Sequence, residues 1–393
     1  MKTAVIVGAA RTPIGKFMGA LGNVSATELG TVAVAEAVKR AGIDPKTVDE
    51  IVMGNVISAG LGQNPARKTG LKAGLPSTIS GLAINKVCGS GLAAVVLAAQ
   101  AIKCGDAEVI VAGGMESMSQ APHMLKGARS GLRLGHGKLE DAILQDGLWC
   151  AMTDQHMGST AELVASEHRV SREDQDAWAF ESHQKALAAI KEGRFKDEIV
   201  GVKLPGKKGE VNTFEVDECP RGDTTKEALA KLKPAFKSEG GTVTAGNAPG
   251  LNDGGAAVVV MEKERALKEG RTILAEIKGY AYGGVEPQWV MMAPVRATRR
   301  VLEVTGLSVE KLDLVEANEA FAVQALGVSR ELKLDPARVN VNGGAVALGH
   351  PIGASGARIL VTLIHALKSR GLKRGLATLC LGGGDAVAMI IER

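Results

Sequence analysis

Apolar positions along the chain alternate between two rhythms. Short, largely apolar runs, at residues 3–8, 109–112 and 376–381, end at or just before glycines and read as buried strands. Runs with helical spacing, at residues 29–40 and 297–304, are followed by Gly42 and Gly306. The two halves then repeat each other. Gly42-Ile43-Asp44 with Val48-Asp49 in the first corresponds to Gly306-Leu307-Ser308 with Leu312-Asp313 in the second, and Ser90-Gly91 corresponds to Ser355-Gly356. Repeated helix–strand units predict βαβ crossovers and mostly parallel sheets covered by helices. Two such halves would bring the equivalent helix starts, at Cys88 and the His350 loop, close to a shared axis.

Residues 119–247 break the rhythm. They contain Gly/His/Lys loops at 131–138 and a single long helical pattern over 158–191, with Thr160 ahead of Glu162 as its start. Ser171-Arg172-Glu173-Asp174 looks like an internal cap, and Lys207-Lys208 like a solvated turn. The stretch reads as an insertion over the core, where loops on a rigid scaffold often bind ligand. The expected division is 1–120 plus 248–270 for the first half, 121–247 for the insertion and 271–393 for the second half.

At 393 residues, with 45% hydrophobic and 23% charged side chains, the chain has a globular balance. A formal charge of +4 and only 3% aromatics make nucleic acid a poor ligand. Five cysteines without paired spacing fit free thiols in a reducing compartment, so a soluble, cytoplasmic protein is expected. No run reaches the roughly 18 consecutive apolar residues of a membrane span.

Chemistry concentrates in three places. Cys88 opens a helix in Val87-Cys88-Gly89-Ser90-Gly91, and Cys380, which looks exposed, ends a strand before Gly382-Gly383-Gly384. His350 lies between them in Gly349-His350-Pro351-Ile352-Gly353. A helix start favours thiolate and an imidazole can take the proton, so thioester chemistry is expected rather than a disulfide or a metal. Cys104 and Cys150 read as small buried hydrophobes and Cys219 as an incidental loop thiol. His123, His136, His168 and His183 read as surface or structural. Gly-x-Gly-x-x-Gly, Walker, Cys-x-x-Cys, His-Glu-x-x-His and Gly-x-Ser-x-Gly patterns are all missing.

Ordered motifs resemble the thiolase family over essentially the whole chain. They are Arg11-Thr12-Pro13, Gly113-Gly114-Met115-Glu116, Thr242 to Asn247, Asn318-Glu319-Ala320-Phe321, Gly349-His350-Pro351 and Cys380-Leu381-Gly382. The resemblance implies a duplicated, layered αβαβα core with an inserted loop domain, assembled as a dimer or tetramer. It also implies condensation of two acetyl-CoA to acetoacetyl-CoA and CoA, reversibly, through an acyl-cysteine. Cys88 would carry the acyl group, His350 would move its proton, and Cys380 would exchange the α-proton. Asn318 would hold a water which, with His350, faces one thioester oxygen; the Cys88 and Gly382 N–H groups would face the other. Coenzyme A, a substrate and not a cofactor, would meet Leu148, His156, Met157, Arg221, Phe236, Ala245, Gly250, Ala320 and Phe321. No metal or redox cofactor is implied.

The chain also departs from the family pattern. Pro249 stands where a serine usually bonds the pantetheine arm, and Val290-Met291-Met292-Ala293-Pro294 replaces Met-Gly-x-Gly-Pro beside the acyl pocket. A longer-chain 3-ketoacyl-CoA thiolase is therefore the alternative, with Met291 and Met292 deciding. A scaffold protein would be expected to lose one of Cys88, His350, Cys380 or Asn318, and a decarboxylating ketosynthase would carry histidine at Asn318. Glu319 is left structural. Asp385, atypical for its position, would lie near Cys380 if it pointed inward, and is given no role.

Overall fold

The duplication is written directly into the strand order. In the first half, β1 (Ala4–Arg11), β2 (Glu50–Gly54), β3 (Ser80–Ile84), β4 (Val109–Ser117) and β5 (Asn252–Glu262) lie side by side. The second half supplies β6 (Ala275–Tyr282), β7 (Leu314–Ala317), β8 (Arg374–Leu381) and β9 (Asp385–Glu392). With the short Gly15–Lys16 strand they form a ten-stranded sheet of order β7-β8-β9-β6-β1-β5-β4-β2-β3. Neighbours β2-β4-β5-β1 mirror β7-β8-β9-β6, and the halves meet where Val5 pairs with Glu276 and Ile6 with Ala275. This computed structural model describes residues 2–206 and 209–393. Lys207 and Lys208, read as a turn, lie outside the described residues.

The sheet is mixed, not mostly parallel. Only β2/β3, β2/β4 and β7/β8 run parallel. The reason lies in the connections. β8 turns back into β9 through Gly382–Gly384, and a tight turn can join only antiparallel strands. β4 likewise returns antiparallel as β5, after the whole insertion.

Five layers result. Helix α1 (Ala26–Ala41) covers the first half of the sheet from outside, while α2 (Ser90–Cys104) packs on its inner face. The second half has α5 (Ala293–Thr305) outside and α6 (Ile352–Arg370) inside, leaving α3 and α4 for the insertion. Ser25 and Glu28 form a capping box on α1, and Gly42 closes it at φ 65°. Helix α2 is apolar on nearly every side, as expected of a helix buried between sheets. By length and mean hydropathy alone, residues Val87–Cys104 would pass for a membrane span, although Ser90, Gln100 and Lys103 interrupt the apolar run. Here they are the middle layer.

The contact between α2 and α6 explains the matched Ser-Gly pairs. A methyl group at Gly91 would fall 2.7 Å from the Ala357 nitrogen, and one at Gly356 only 2.4 Å from the Leu92 nitrogen. Backbone meets backbone there, so both positions require glycine. The matched aspartates are equally symmetric. Asp49 accepts N–H bonds from Glu108 and Val109 at 2.8 and 2.9 Å, and Asp313 from Lys373 and Arg374 at 3.0 and 2.8 Å. Each carboxylate holds the start of its half's central strand.

Within the insertion, the expected single helix is two, α3 (Met157–Glu167) and α4 (Arg172–Lys191). Arg169 sits at φ 51° between them, and the Ser171 hydroxyl caps α4 by accepting from the Asp174 N–H at 3.1 Å. Helix α3 starts at the His156 cap, not at Thr160. Arg11, fully buried, ties the insertion to β1 through Glu198 at 2.6 Å and Asp217 at 2.7 Å. Cys150 and His183 are buried, whereas Cys104, expected inside, is exposed because it ends α2 beyond the edge of the layer.

Candidate active site

The nucleophile-bearing loop is tightly built. Val87, a β-branched residue at φ 48°, precedes Cys88 in a conformation that side chains rarely adopt. The Ser90 hydroxyl locks it, donating to the Val87 carbonyl at 2.6 Å and accepting from the Lys86 N–H at 2.8 Å. Gly89 is the cap of α2, and a Cβ there would strike Leu381 at 2.5 Å.

Cys88, His350, Cys380 and Gly382 line one cavity of about 320 Å³. Leu148, His156, Met157, Phe236, Gly250, Ala320 and Phe321 line it too. Three rings order part of this wall. His156 stacks on Phe236 at 4.7 Å, and Phe236 meets Phe321 edge-on at 6.2 Å. Arg221 and Ala245 lie on the surface outside the cavity. Sequence reasoning passed over Met118, Gly147, Ala248, Leu251 and Ile352, which also contribute. Ordinary apolar residues carry no signal of this kind. Of the two methionines expected to shape the wall, Met291 lines the cavity; Met292 instead packs on Gly327.

His350 is positioned by two side chains that sequence reasoning did not single out for the site. Its backbone N–H donates to Asn252 Oδ1 at 2.8 Å, and its Nδ1 lies 2.6 Å from the Ser355 hydroxyl. That hydroxyl gives its hydrogen to the Pro351 carbonyl at 2.9 Å. Nδ1 must then be the donor to Ser355, which leaves the lone pair on Nε2, buried and without a protein partner. Burial, reinforced by Arg358, holds the imidazole pKa down at about 3. At neutral pH it is an uncharged base.

Burial pushes the Cys88 thiol up to about 12, although its own N–H and that of Gly382 both favour the anion. The expected thiolate at the helix start is thus overruled by desolvation. Cys380 is buried, not exposed, because β8 carries it inside; burial and the neighbouring Cys88 sulfur raise its pKa still further. The resting site holds two neutral thiols and a neutral imidazole. Iodoacetamide labelling of Cys88 should therefore rise about tenfold per pH unit from 7 to 10. A plateau below pH 8 would instead indicate a preformed ion pair.

Asn318 is 1% exposed, does not line the cavity, and has both amide atoms without a protein partner. Glu319 beside it is fully satisfied, accepting from Trp178, Ser182, Asn340 and Val346. Cys219, read as incidental, accepts from Asn252 Nδ2 at 3.0 Å. Asp385 does not approach Cys380 as a free carboxylate; it pairs with Lys86.

Two nucleophilic sulfurs, an unpartnered imidazole nitrogen and a backbone N–H facing sulfur suit acyl transfer between thiols. A family model described as the thiolase N-terminal domain matches residues 4–264, and one described as the thiolase C-terminal domain matches residues 271–393. An acetyl-CoA acetyltransferase of Pseudomonas aeruginosa is 56% identical over 393 residues, and one of Escherichia coli (strain K12) 56% over 394, each covering both chains completely. The crystal structure of the Bacillus anthracis acetyl-CoA acetyltransferase superposes with a TM-score of 0.97 at 47% identity, covering 100% of this chain and 99% of that one. With models of both halves matched end to end, the chain belongs to the thiolase family.

Proposed function

We propose that this protein is an acetyl-CoA acetyltransferase, joining two acetyl-CoA into acetoacetyl-CoA and CoA and running the reaction in reverse. The observation that carries this reading is the convergence of Cys88, His350, Cys380 and Gly382 on one cavity. In the cleaving direction the Cys88 sulfur attacks the ketone carbon of acetoacetyl-CoA while His350 Nε2 takes its proton. The bond between the ketone carbon and the α-carbon breaks, and Cys380 protonates the departing acetyl-CoA carbanion. His350 passes its proton on to restore the Cys380 thiol and is free to take the CoA proton as the CoA sulfur attacks the acetyl-Cys88 thioester. The C–S bond to Cys88 then breaks, and His350 returns that proton to the departing Cys88 sulfur. The N–H groups of Cys88 and Gly382 steady one developing oxyanion, and His350 with an Asn318-held water the other. No step requires a metal or redox group.

Leu148, His156, Met157, Phe236, Gly250, Ala320 and Phe321 would hold the acyl and pantetheine portions. Arg221 and Ala245, at the surface, would meet the nucleotide end. Pro249 lines the cavity without a hydroxyl, so the pantetheine arm lacks one hydrogen bond, worth about 0.5–1.5 kcal/mol. Oligomerisation is supported by an exposed arm carrying Leu125, Leu132, Leu134 and Leu139, with Leu134 wholly exposed. All five cysteines are free, which supports a cytoplasmic setting.

Met291, Met157, Leu148 and Phe321 line the apolar wall of the cavity, and the similarity to acetyl-CoA acetyltransferases over the whole chain favours a short acyl group over the longer-chain alternative. CoA-dependent cleavage of acetoacetyl-CoA should exceed that of 3-ketooctanoyl-CoA by at least about tenfold in kcat/KM. The opposite order would assign the protein to longer chains.

A further inference from the structure

The two N–H groups proposed to face one oxyanion come from opposite halves of the chain. Cys88 sits on the loop before α2, and Gly382 on the turn between β8 and β9. Both segments are in unusual conformations, with Val87 at φ 48° and Gly383 and Gly384 at φ 89° and 93°. The two touch directly: a Cβ at Gly382 would lie 3.1 Å from Val87 Cγ1. No ladder of strand hydrogen bonds joins them. Across the same junction, Lys86 Nζ forms an ion pair with Asp385 Oδ2. Lys86 lies two residues before Cys88, and Asp385 three residues after Gly382.

The pair is held at both ends. The Lys86 ammonium rests over the Tyr282 ring, 4.3 Å from its centre. Its backbone N–H is fixed by Ser90, and Asp385 Oδ1 accepts from the Ala386 N–H at 2.8 Å. The two side chains are 35% and 32% exposed, so the pair adds little to global stability. It does, however, bridge the strained Val87 loop and the glycine turn, whose separation decides whether two N–H groups can point at one oxygen.

We propose that Lys86 and Asp385 are positioning residues, a clasp that sets the spacing of the Cys88 and Gly382 N–H groups. This rests on the roles given to those two groups above. Misplacing such donors by a fraction of an ångström weakens them in the transition state more than in substrate binding.

The test is a double-mutant cycle with Lys86→Met, Asp385→Asn and both together, read by kcat, KM for acetoacetyl-CoA and CoA, and Tm. Asp385→Asn keeps the side-chain shape, so a folding defect in Lys86→Met would not end the test. Each single variant should lose roughly tenfold in kcat, with KM within twofold and Tm nearly unchanged. The double variant should be no slower than the slower single, because the clasp is already open. Unchanged kcat in the singles, or losses that multiply in the double, would overturn the clasp. Losses that track Tm would reduce it to a structural contact. If Cys88→Ala retained full thiolysis, the roles beneath the clasp would fail instead.

Discussion

Replacing Cys88 by alanine is expected to abolish CoA-dependent cleavage of acetoacetyl-CoA, by at least roughly 10⁴-fold in kcat. The covalent route is lost outright, since alanine offers no atom to carry the acetyl group. The alternative, direct attack by CoA on the ketone carbon, would need CoA to occupy the place of the sulfur. The cavity walls and the Gly382 N–H remain, so substrate should still bind and KM should change little. Stability should barely respond. Cys88 is a partly buried residue on a cavity wall, and removing its sulfur takes away roughly one methylene's worth of burial, about 1 kcal/mol. A loss of activity with an unchanged Tm separates chemistry from folding.

Cys380→Ala is expected to divide the reaction in two. Overall condensation and cleavage should fall about 10³-fold, the usual size of a lost acid–base group. Acetylation of Cys88 by acetyl-CoA should survive, because that step moves a proton only between sulfur and His350. Among the described residues, Cys380 lines the cavity beside Cys88, and the two sulfurs are close enough for one to raise the pKa of the other. If Cys380→Ala also blocked acetylation, the two thiols would not have the separate tasks assigned to them.

The buried setting explains how one site runs both directions. With the imidazole pKa near 3 and the Cys88 thiol near 12, neither group changes charge between pH 5 and 8. Proton and acyl group therefore move together, and charge appears only transiently, where N–H donors face it.

Much of this was legible in the chain, for a physical reason. The repeat forces Asp49 and Asp313, and Gly91 and Gly356, into equivalent places, so the layered fold follows once the two halves are recognised. Motif residues from distant segments meet because α2 and α6 cross at those glycines. What the chain did not reveal depends on contacts without a pattern. The antiparallel β8–β9 return hangs on three glycines, and the break at Arg169 on one residue's φ. Asn252 and Ser355 hold His350 through single hydrogen bonds from an ordinary strand end and an ordinary helical turn. The burial of Cys380 and the exposure of Cys104 reflect where an element ends relative to the layers, which local spacing does not encode.

The most direct test is to mix the protein with acetyl-CoA, quench in acid, digest, and weigh the peptides. The account predicts an added acetyl mass on the peptide containing Cys88, stable in acid and lost on addition of CoA. An acetyl group on Cys380 instead, or on no cysteine while acetoacetyl-CoA is still cleaved, would contradict it.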